Sequence, residues 1–288
     1  MLYGALEAGG TKMICSLGDE NGNISDRARF DTRLPEETIP QLIEYFSGKP
    51  IQALGIGSFG PLDLNPASMT YGHITTTPKK GWENYPLLQA FKNALHVPVQ
   101  IDTDVNAAAL AEQRLGAARG VNSCLYVTIG TGVGGGLMID NKLVHGLMHP
   151  EFGHMILRSA PNDPAPDGFC AFHKGCLEGL ASGTAMRKRW RTPAEELALT
   201  HPAWQIEAYY LAQMCVNAIA VFSPEKIVLG GGVMQKPGLI EMVREQMPEL
   251  LGGYWQSSSL ERLDSYVVLP GLGNNSGAAG ALLLAAQV

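Results

Sequence analysis

Three soft or borderline metal ligands recur at three-residue spacing in Cys170-Ala171-Phe172-His173-Lys174-Gly175-Cys176, and His154 lies sixteen residues upstream. Zinc in a structural site takes four such ligands in a tetrahedron. His154, Cys170, His173 and Cys176 therefore form a candidate structural zinc set with no position left open for chemistry. The segment 161–168 ahead of the cysteines is loop-like and rich in Pro and Asp, which suits a chain that a metal holds in place. The competing reading is two buried reduced cysteines with histidines in solvent. A C-x-x-H-x-x-C run in a chain without a disulfide framework is more economically a metal site.

A second constellation is Asp102-Thr103-Asp104-Val105-Asn106, between a predicted strand and an alanine-rich helix. Asp104 at the helix start reads either as an N-cap or as a base for a sugar or water hydroxyl. The two are compatible, because a helix N-terminus favours the ionised carboxylate. Glu151, His154 and Glu178 bracket the candidate zinc loop. They could bind the hydroxyls of a polar ligand, although solvation at the surface is the commoner fate of acids.

Glycine supplies the third signal. There are 34 in 288 residues, against a usual share of about 7%. Half of them fall in five clusters, around Gly9, Gly55–Gly60, Gly130–Gly136, Gly230–Gly232 and Gly271–Gly280. Three clusters follow predicted strands, where backbone N–H groups can approach a polyphosphate closely; a plain tight turn is the alternative for any one of them. Gly130-Thr131-Gly132-Val133-Gly134-Gly135 matches G-x-G-x-x-G, but the dinucleotide fingerprint needs a helix next, and an apolar strand follows instead. No G-x-x-x-x-G-K-[ST] occurs either. Phosphate binding survives this test, whereas Rossmann and P-loop folds do not.

The elements that must position these residues read as alternating strands and helices. Residues 2–8 and 12–18 form one predicted hairpin; 124–129 and 137–140 form another around a loop at 130–136. Leu2-Tyr3 and Leu125-Tyr126 open the two copies, 123 positions apart, which suggests a duplicated α/β unit with a cleft between the halves. Further strands are expected at 53–58, 99–103 and 226–229, and helices at 105–118, 204–222 and 276–286. In the 204–222 helix, Ile206, Tyr209, Tyr210, Gln213, Val216, Asn217 and Ala220 read as the packed face. Hydrophobic residues make up 45% of the chain and charged residues 17%, enough apolar material for a substantial core. The net charge of -6 gives no positive field for nucleic acid. Neither a leader nor a membrane span is visible, so a soluble cytoplasmic protein is expected.

Together these residues resemble the ROK family of sugar kinases and sugar-responsive repressors. Glu7-Ala8-Gly9-Gly10-Thr11-Lys12 looks like the family's first phosphate motif and 128–136 like the second, continued through Gly146, Pro150, Gly153 and His154. Ser58 to Asp63, and Thr77-Pro78 with Trp82, look like sugar-side loops. The Cys170-x-x-His173-x-x-Cys176-x-Glu178 variant of the zinc loop, with 75–82, resembles the bacterial fructokinase branch.

The resemblance implies an actin-like, hexokinase-like fold of two ribonuclease H-like domains, 1–117 and 118–275, with the tail helix 276–288 free to pack on the first. It implies ATP-dependent phosphorylation of a hexose, above all the 6-hydroxyl of D-fructose, with Asp104 as base. Asn106, Glu151, His154, Glu178, Gly60 and Pro61 would face the sugar. Gly9, Gly10, Thr11, Lys12, Thr131, Gly132, Gly134, Gly135, Gly231 and Gly232 would face the nucleotide. Mg²⁺ would accompany ATP, zinc would be structural, and the assembly would be a homodimer. The alternatives are a glucokinase, mannokinase or N-acetylmannosamine kinase of the same family, or a non-catalytic sugar-sensing regulator. Family repressors carry a helix-turn-helix extension ahead of the first phosphate motif. That motif begins here at Glu7, so no such extension is expected.

Overall fold

A computed structural model describes residues 1–288. In chain order the elements begin β1 (Tyr3–Ala8), β2 (Lys12–Gly18), β3 (Ile24–Asp31), α1 (Pro35–Phe46), β4 (Leu54–Ser58), α2 (Leu87–Leu95), β5 (Val99–Thr103) and α3 (Asp104–Arg114). Next come β6 (Cys124–Ile129), β7 (Val133–Ile139), β8 (Lys142–Leu143), α4 (Leu177–Ala181), α5 (Gly183–Trp190) and α6 (Ala203–Phe222). The last are β9 (Lys226–Gly230), α7 (Leu239–Leu251), α8 (Ser258–Glu261), α9 (Leu263–Tyr266), β10 (Val267–Val268) and α10 (Ser276–Ala285). The chain divides into two compact units. One is Met1–Gly116 with Lys142–Pro150 and Asn274–Val288; the other is Ala117–Asn141 with Glu151–Gly273.

In the first unit the sheet order is β3-β2-β1-β4-β5. β1 pairs antiparallel with β2 and parallel with β4, and β4 pairs parallel with β5. The central strands are buried on both faces, as their near-continuous apolar runs require. One face packs Leu6, Met13 and Ile56 against Leu42, Phe46, Trp82 and Phe91. The other packs Tyr3, Ala5 and Ala53 against Ala281, Leu282 and Ala285 of α10. This last helix, SGAAGALLLA, is apolar all round because it is buried nearly all round. It approaches so closely that a Cβ on Gly55 would collide with the Ala281 carbonyl, and one on Gly280 with the Ala107 carbonyl of α3. Gly280 of the 271–280 group is thereby explained as close packing.

The second unit repeats the pattern. β6 pairs antiparallel with β7 and parallel with β9, and β9 pairs parallel with β10. The equivalent strands start at Tyr3 and Cys124 and the equivalent turns at Gly9 and Gly130, a spacing of 121 rather than the 123 suggested by the Leu-Tyr pairs. Three further expectations are corrected. Gly134, Gly135 and Gly136 belong to β7, where they pair with Thr128, Val127 and Tyr126, so the turn is only 130–132. The helix expected to run to 118 ends at Arg114. In α6, Trp204, Leu211, Met214, Cys215 and Ile219 are buried while Ala220 is exposed and Tyr209, Val216 and Asn217 are partly so, because packing on more than one side displaces the face read from one stripe. No helix is long and apolar enough to cross a membrane.

Candidate functional site

The junction of β5 and α3 places the first acidic group. Thr103 caps the helix, its Oγ1 accepting from Asn106 N at 3.0 Å. Asp104 is therefore the first helical residue and not the cap, since a cap oxygen must reach the amide of the second or third helical residue. Its Oδ1 accepts from Val105 N at 2.9 Å. Burial pushes its pKa up to about 6. Glu7, in the otherwise apolar β1, is pushed up to about 7, first by burial and then by the charge of Asp104, with Lys12 and Arg27 acting in the opposite sense. Its Oε2 is buried without a hydrogen-bond partner. Gly277 of α10 makes room for it, because a Cβ there would stand 2.7 Å from the Glu7 carboxyl carbon.

Asp102, two residues before Asp104, is held on both oxygens. Oδ1 accepts from Thr103 N at 2.7 Å and Asn106 Nδ2 at 2.8 Å, and His145 Nε2 lies 2.8 Å from Oδ2. Asn106, expected to face the sugar, is 1% exposed with its amide nitrogen committed to Asp102. Its place is corrected from ligand contact to support of the β5–α3 junction. Gly60 and Pro61 lead into Leu62, whose N–H donates to His149 Nε2 at 3.0 Å. A Cβ on Gly60 would come within 3.3 Å of the His149 ring. Beside these groups lies a cavity of about 570 Å³ lined in part by Asp63, Asn65, Tyr71, Gln100, Asp102 and His145.

The glycine turns separate into two kinds. Gly9, Gly132, Gly135 and Gly231 answer to packing inside the protein. A Cβ on Gly9 would stand 2.7 Å from Lys12 O, on Gly132 2.5 Å from Glu178 Oε2, and on Gly135 2.8 Å from Phe152 Cβ. Gly231 has φ +91° and abuts Ile129. Gly10, Gly130 and Gly232 have no left-handed φ and nothing within 4 Å of the missing Cβ. Neither conformation nor internal packing asks for glycine there, but close approach of an external group would. Thr11 and Lys12 follow Gly10 at the start of β2, and Thr131 sits exposed in the β6–β7 turn. Gly134 and Gly135, expected to offer turn amides, are ladder residues of β7. Glu178 braces that same turn, its Oε2 accepting from Val133 N at 3.0 Å.

The four expected metal ligands come together. His154, Cys170, His173 and Cys176 place one ligand atom each within 4.8 Å of one another. His154 Nδ1 is 4.0 Å from Cys170 Sγ and 3.9 Å from Cys176 Sγ, and His173 Nδ1 is 3.9 Å from Cys170 Sγ. Ordinary Zn–S and Zn–N bond lengths give a tetrahedral edge of about 3.6 Å, so the donor set fits zinc. Cys176 is anchored as the N-cap of α4, accepting from Gly179 N at 3.4 Å, and burial followed by the nearby Cys170 pushes its thiol up to about 11. His154 ends a short 3-10 turn entered from the exposed Glu151, whose carbonyl accepts from His154 N at 3.0 Å.

The ROK family profile matches residues 3–288. The chain belongs to the ROK family. It is 47% identical to a putative fructokinase of Bacillus subtilis over 99% of this chain and 96% of that protein. It is 46% identical to a fructokinase of Pediococcus pentosaceus, over 99% and 98%. A ROK family glucokinase of Streptomyces griseus, solved with glucose and AMPPNP, superposes with a TM-score of 0.82 at 26% identity over the whole of both chains. This ROK chain has the actin-like, hexokinase-like ATPase fold, its two α/β sheets repeating one topology.

Sequence reasoning quoted Glu7 only within a motif and Asp102 only within the 102–106 run, and it did not single out His145 or His149. A charge inside an apolar strand was the available signal for Glu7. The two histidines had only their four-residue separation, because their partners lie 43 and 87 positions away.

Proposed function

We propose that this ROK protein is a fructokinase that converts ATP and D-fructose to ADP and D-fructose 6-phosphate. The kinase reading is carried by one observation: the half-buried Asp104, pushed to about 6, in a chain whose Gly10, Gly130 and Gly232 turns have no internal reason to be glycine. The sugar rests on the relatives. A fructokinase and a protein named a putative fructokinase match at 46% and 47% identity over nearly the full chain, against 26% for the glucokinase structure.

Asp104 is ionised at neutral pH yet more basic than an ordinary carboxylate, the state a proton acceptor needs. The 6-hydroxyl oxygen bonds to the γ-phosphorus while the bond from that phosphorus to the β,γ-bridging oxygen breaks; the hydroxyl proton passes to Asp104 and ADP leaves. Backbone N–H groups of the Gly9–Lys12 and 130–132 turns, with Gly231 and Gly232, receive the nucleotide. The orphaned Glu7 oxygen fits a hydrated Mg²⁺ accompanying ATP, which offsets phosphate charge when bound. Gly60, Pro61, Glu151, His154 and Glu178 contact the sugar. His154, Cys170, His173 and Cys176 hold a structural zinc ion through His154 Nδ1, which leaves Nε2 for a sugar hydroxyl. The enzyme works in the cytoplasm as a homodimer of two-domain chains divided near residue 117.

The test is an ADP-release assay with ATP and Mg²⁺ over fructose, mannose, glucose, N-acetylglucosamine and N-acetylmannosamine. Fructose should give the highest kcat/KM. A higher value with another hexose reassigns the sugar, and turnover with none removes the kinase reading.

A further inference from the structure

Segment Lys142–Pro150 belongs to the first unit although the residues on either side of it belong to the second. Packing alone does not hold it there. Leu147 is 99% exposed and Met148 42%, whereas a strap fixed by apolar contact would bury both. Two of its side chains, histidines four positions apart, make polar contacts with the rest of that unit. His145 Nε2 meets Asp102 Oδ2 at 2.8 Å, and Asp102 precedes Asp104 by two residues on the strand that delivers it. His149, 8% exposed, accepts from Leu62 N at 3.0 Å, immediately after Gly60-Pro61. Gly146 turns the chain between them at φ +84°. The strap thus ties the Gly60–Leu62 loop to the β5–α3 junction, and its C-terminal end runs directly into Glu151.

The two attachments favour opposite protonation states. Asp102 is 5% exposed, and a buried carboxylate needs a counter-charge, which a protonated His145 supplies. The hydrogen bond to Asp102 holds the His145 pKa above the usual histidine value, against the effect of burial. His149 must present a bare Nε2 to the Leu62 N–H, and burial holds its pKa below the usual value. The titratable groups facing the pair are Asp102, Tyr71, Asp63 and the histidines themselves. Asp63 is occupied by Ser68 and Thr70, which keep its carboxyl low, and burial followed by the charge of Asp102 keeps the Tyr71 phenol high. The contribution of His145 is complete at low pH and is lost as pH rises through its raised pKa. That of His149 is complete above the ordinary histidine value and is lost as pH falls through its lowered one.

We propose that His145 and His149 are positioning residues for the sugar: they strap 142–150 onto the Gly60–Leu62 loop and the strand bearing Asp104, and so set sugar affinity without taking part in phosphoryl transfer. This rests on the sugar-kinase reading, and the wild-type assay and the variants separate the two. If the wild-type protein phosphorylates no hexose, the kinase reading fails; if it is active, the variants judge the strap.

The experiment measures kcat and KM for fructose and for ATP separately between pH 5.5 and 9, with fructose binding followed by calorimetry in the absence of ATP. His145→Ala should raise the fructose KM about tenfold through loss of a charge-assisted hydrogen bond, leave kcat within about twofold, and leave the ATP KM unchanged. The calorimetric affinity for fructose should fall in parallel. The wild-type fructose KM should rise at alkaline pH and at acid pH; His145→Gln keeps one donor for Asp102 but does not titrate, so it should recover most of the affinity and lose the alkaline rise. His149→Gln keeps an acceptor for Leu62 N–H and should lose the acid-side rise alone. The proposal is overturned if the fructose and ATP constants move together, if the fructose KM stays at the wild-type value in His145→Ala, or if His145→Gln retains the alkaline rise.

Discussion

A proton acceptor in a kinase must be ionised before the hydroxyl arrives, and Asp104 combines that need with burial that opposes it. With its pKa near 6, kcat should be flat near neutrality and fall tenfold per pH unit below about 6 as the carboxylate protonates. Asp104→Asn should lower kcat by about 10²–10⁴-fold, the usual weight of a positioned base. The sign for stability is opposite. A carboxyl whose folded pKa is raised costs stability once pH exceeds the ordinary carboxylate range, so Asn should melt no lower than the wild type at pH 7. A variant with near-normal turnover would remove Asp104 as the base, and one that melts lower than the wild type at pH 7 would overturn the stability argument. The place of Asp104 at the start of α3 and the gathering of His154, Cys170, His173 and Cys176 were legible in the sequence because residue type and short spacing define them. Asn106 was misjudged because its contact, the buried Asp102, depends on how β5 enters α3, and spacing alone cannot tell a ligand-facing amide from one turned inward.

Turns and strands decide what each glycine does. Both hairpins were legible, because apolar runs broken by glycine leave few alternatives, but the second was drawn too wide. Three consecutive glycines read as loop, whereas Gly135 lies in β7 beneath Phe152, a residue outside the hairpin that no local pattern reveals. A contrast follows. Gly10→Ala meets nothing in the protein and should leave the melting temperature within about 2 °C while raising the ATP KM, since the added methyl occupies space assigned to the phosphates. Gly135→Ala collides with Phe152 and should destabilise by about 1–3 kcal/mol, the range for overpacking, read by urea unfolding. If Gly10→Ala left ATP binding at the wild-type level, the first turn would have no part in phosphate recognition. The candidate zinc loop belongs to this scale too. Elemental analysis should find about one zinc per chain, and chelation should lower the protection of 151–178 against proteolysis more than that of β1–β2. Folded, active protein without zinc would exclude the site.

Across the whole molecule the C-terminus completes the unit that the N-terminus begins. Composition and the repeated hairpin made the duplicated α/β architecture legible. The docking of α10 was only a possibility in the sequence, since an alanine-rich helix can pack in many places, and what selects the place is a set of gaps. Gly55 and Gly280 accept the backbones of α10 and α3, and Gly277 clears the Glu7 carboxyl. Leu282 and Leu284 are buried along with Ala278, Ala279, Ala281 and Ala285. At roughly 2 kcal/mol for each leucine and under 1 kcal/mol for each alanine, their burial is worth about 5–8 kcal/mol, as large as the net stability of many domains. Removing 276–288 should therefore unfold the first unit, and the shortened chain should bind neither fructose nor ATP analogue by calorimetry. Gly280→Val separates packing from chain length, because it keeps the helix but forces a side chain into the Ala107 carbonyl. It should lower the melting temperature and loosen amide-exchange protection in α3, β1 and β4 while leaving β6 and β9 at wild-type protection. Equal loss in both units would mean that the tail stabilises the molecule as one cooperative block and not the first unit alone.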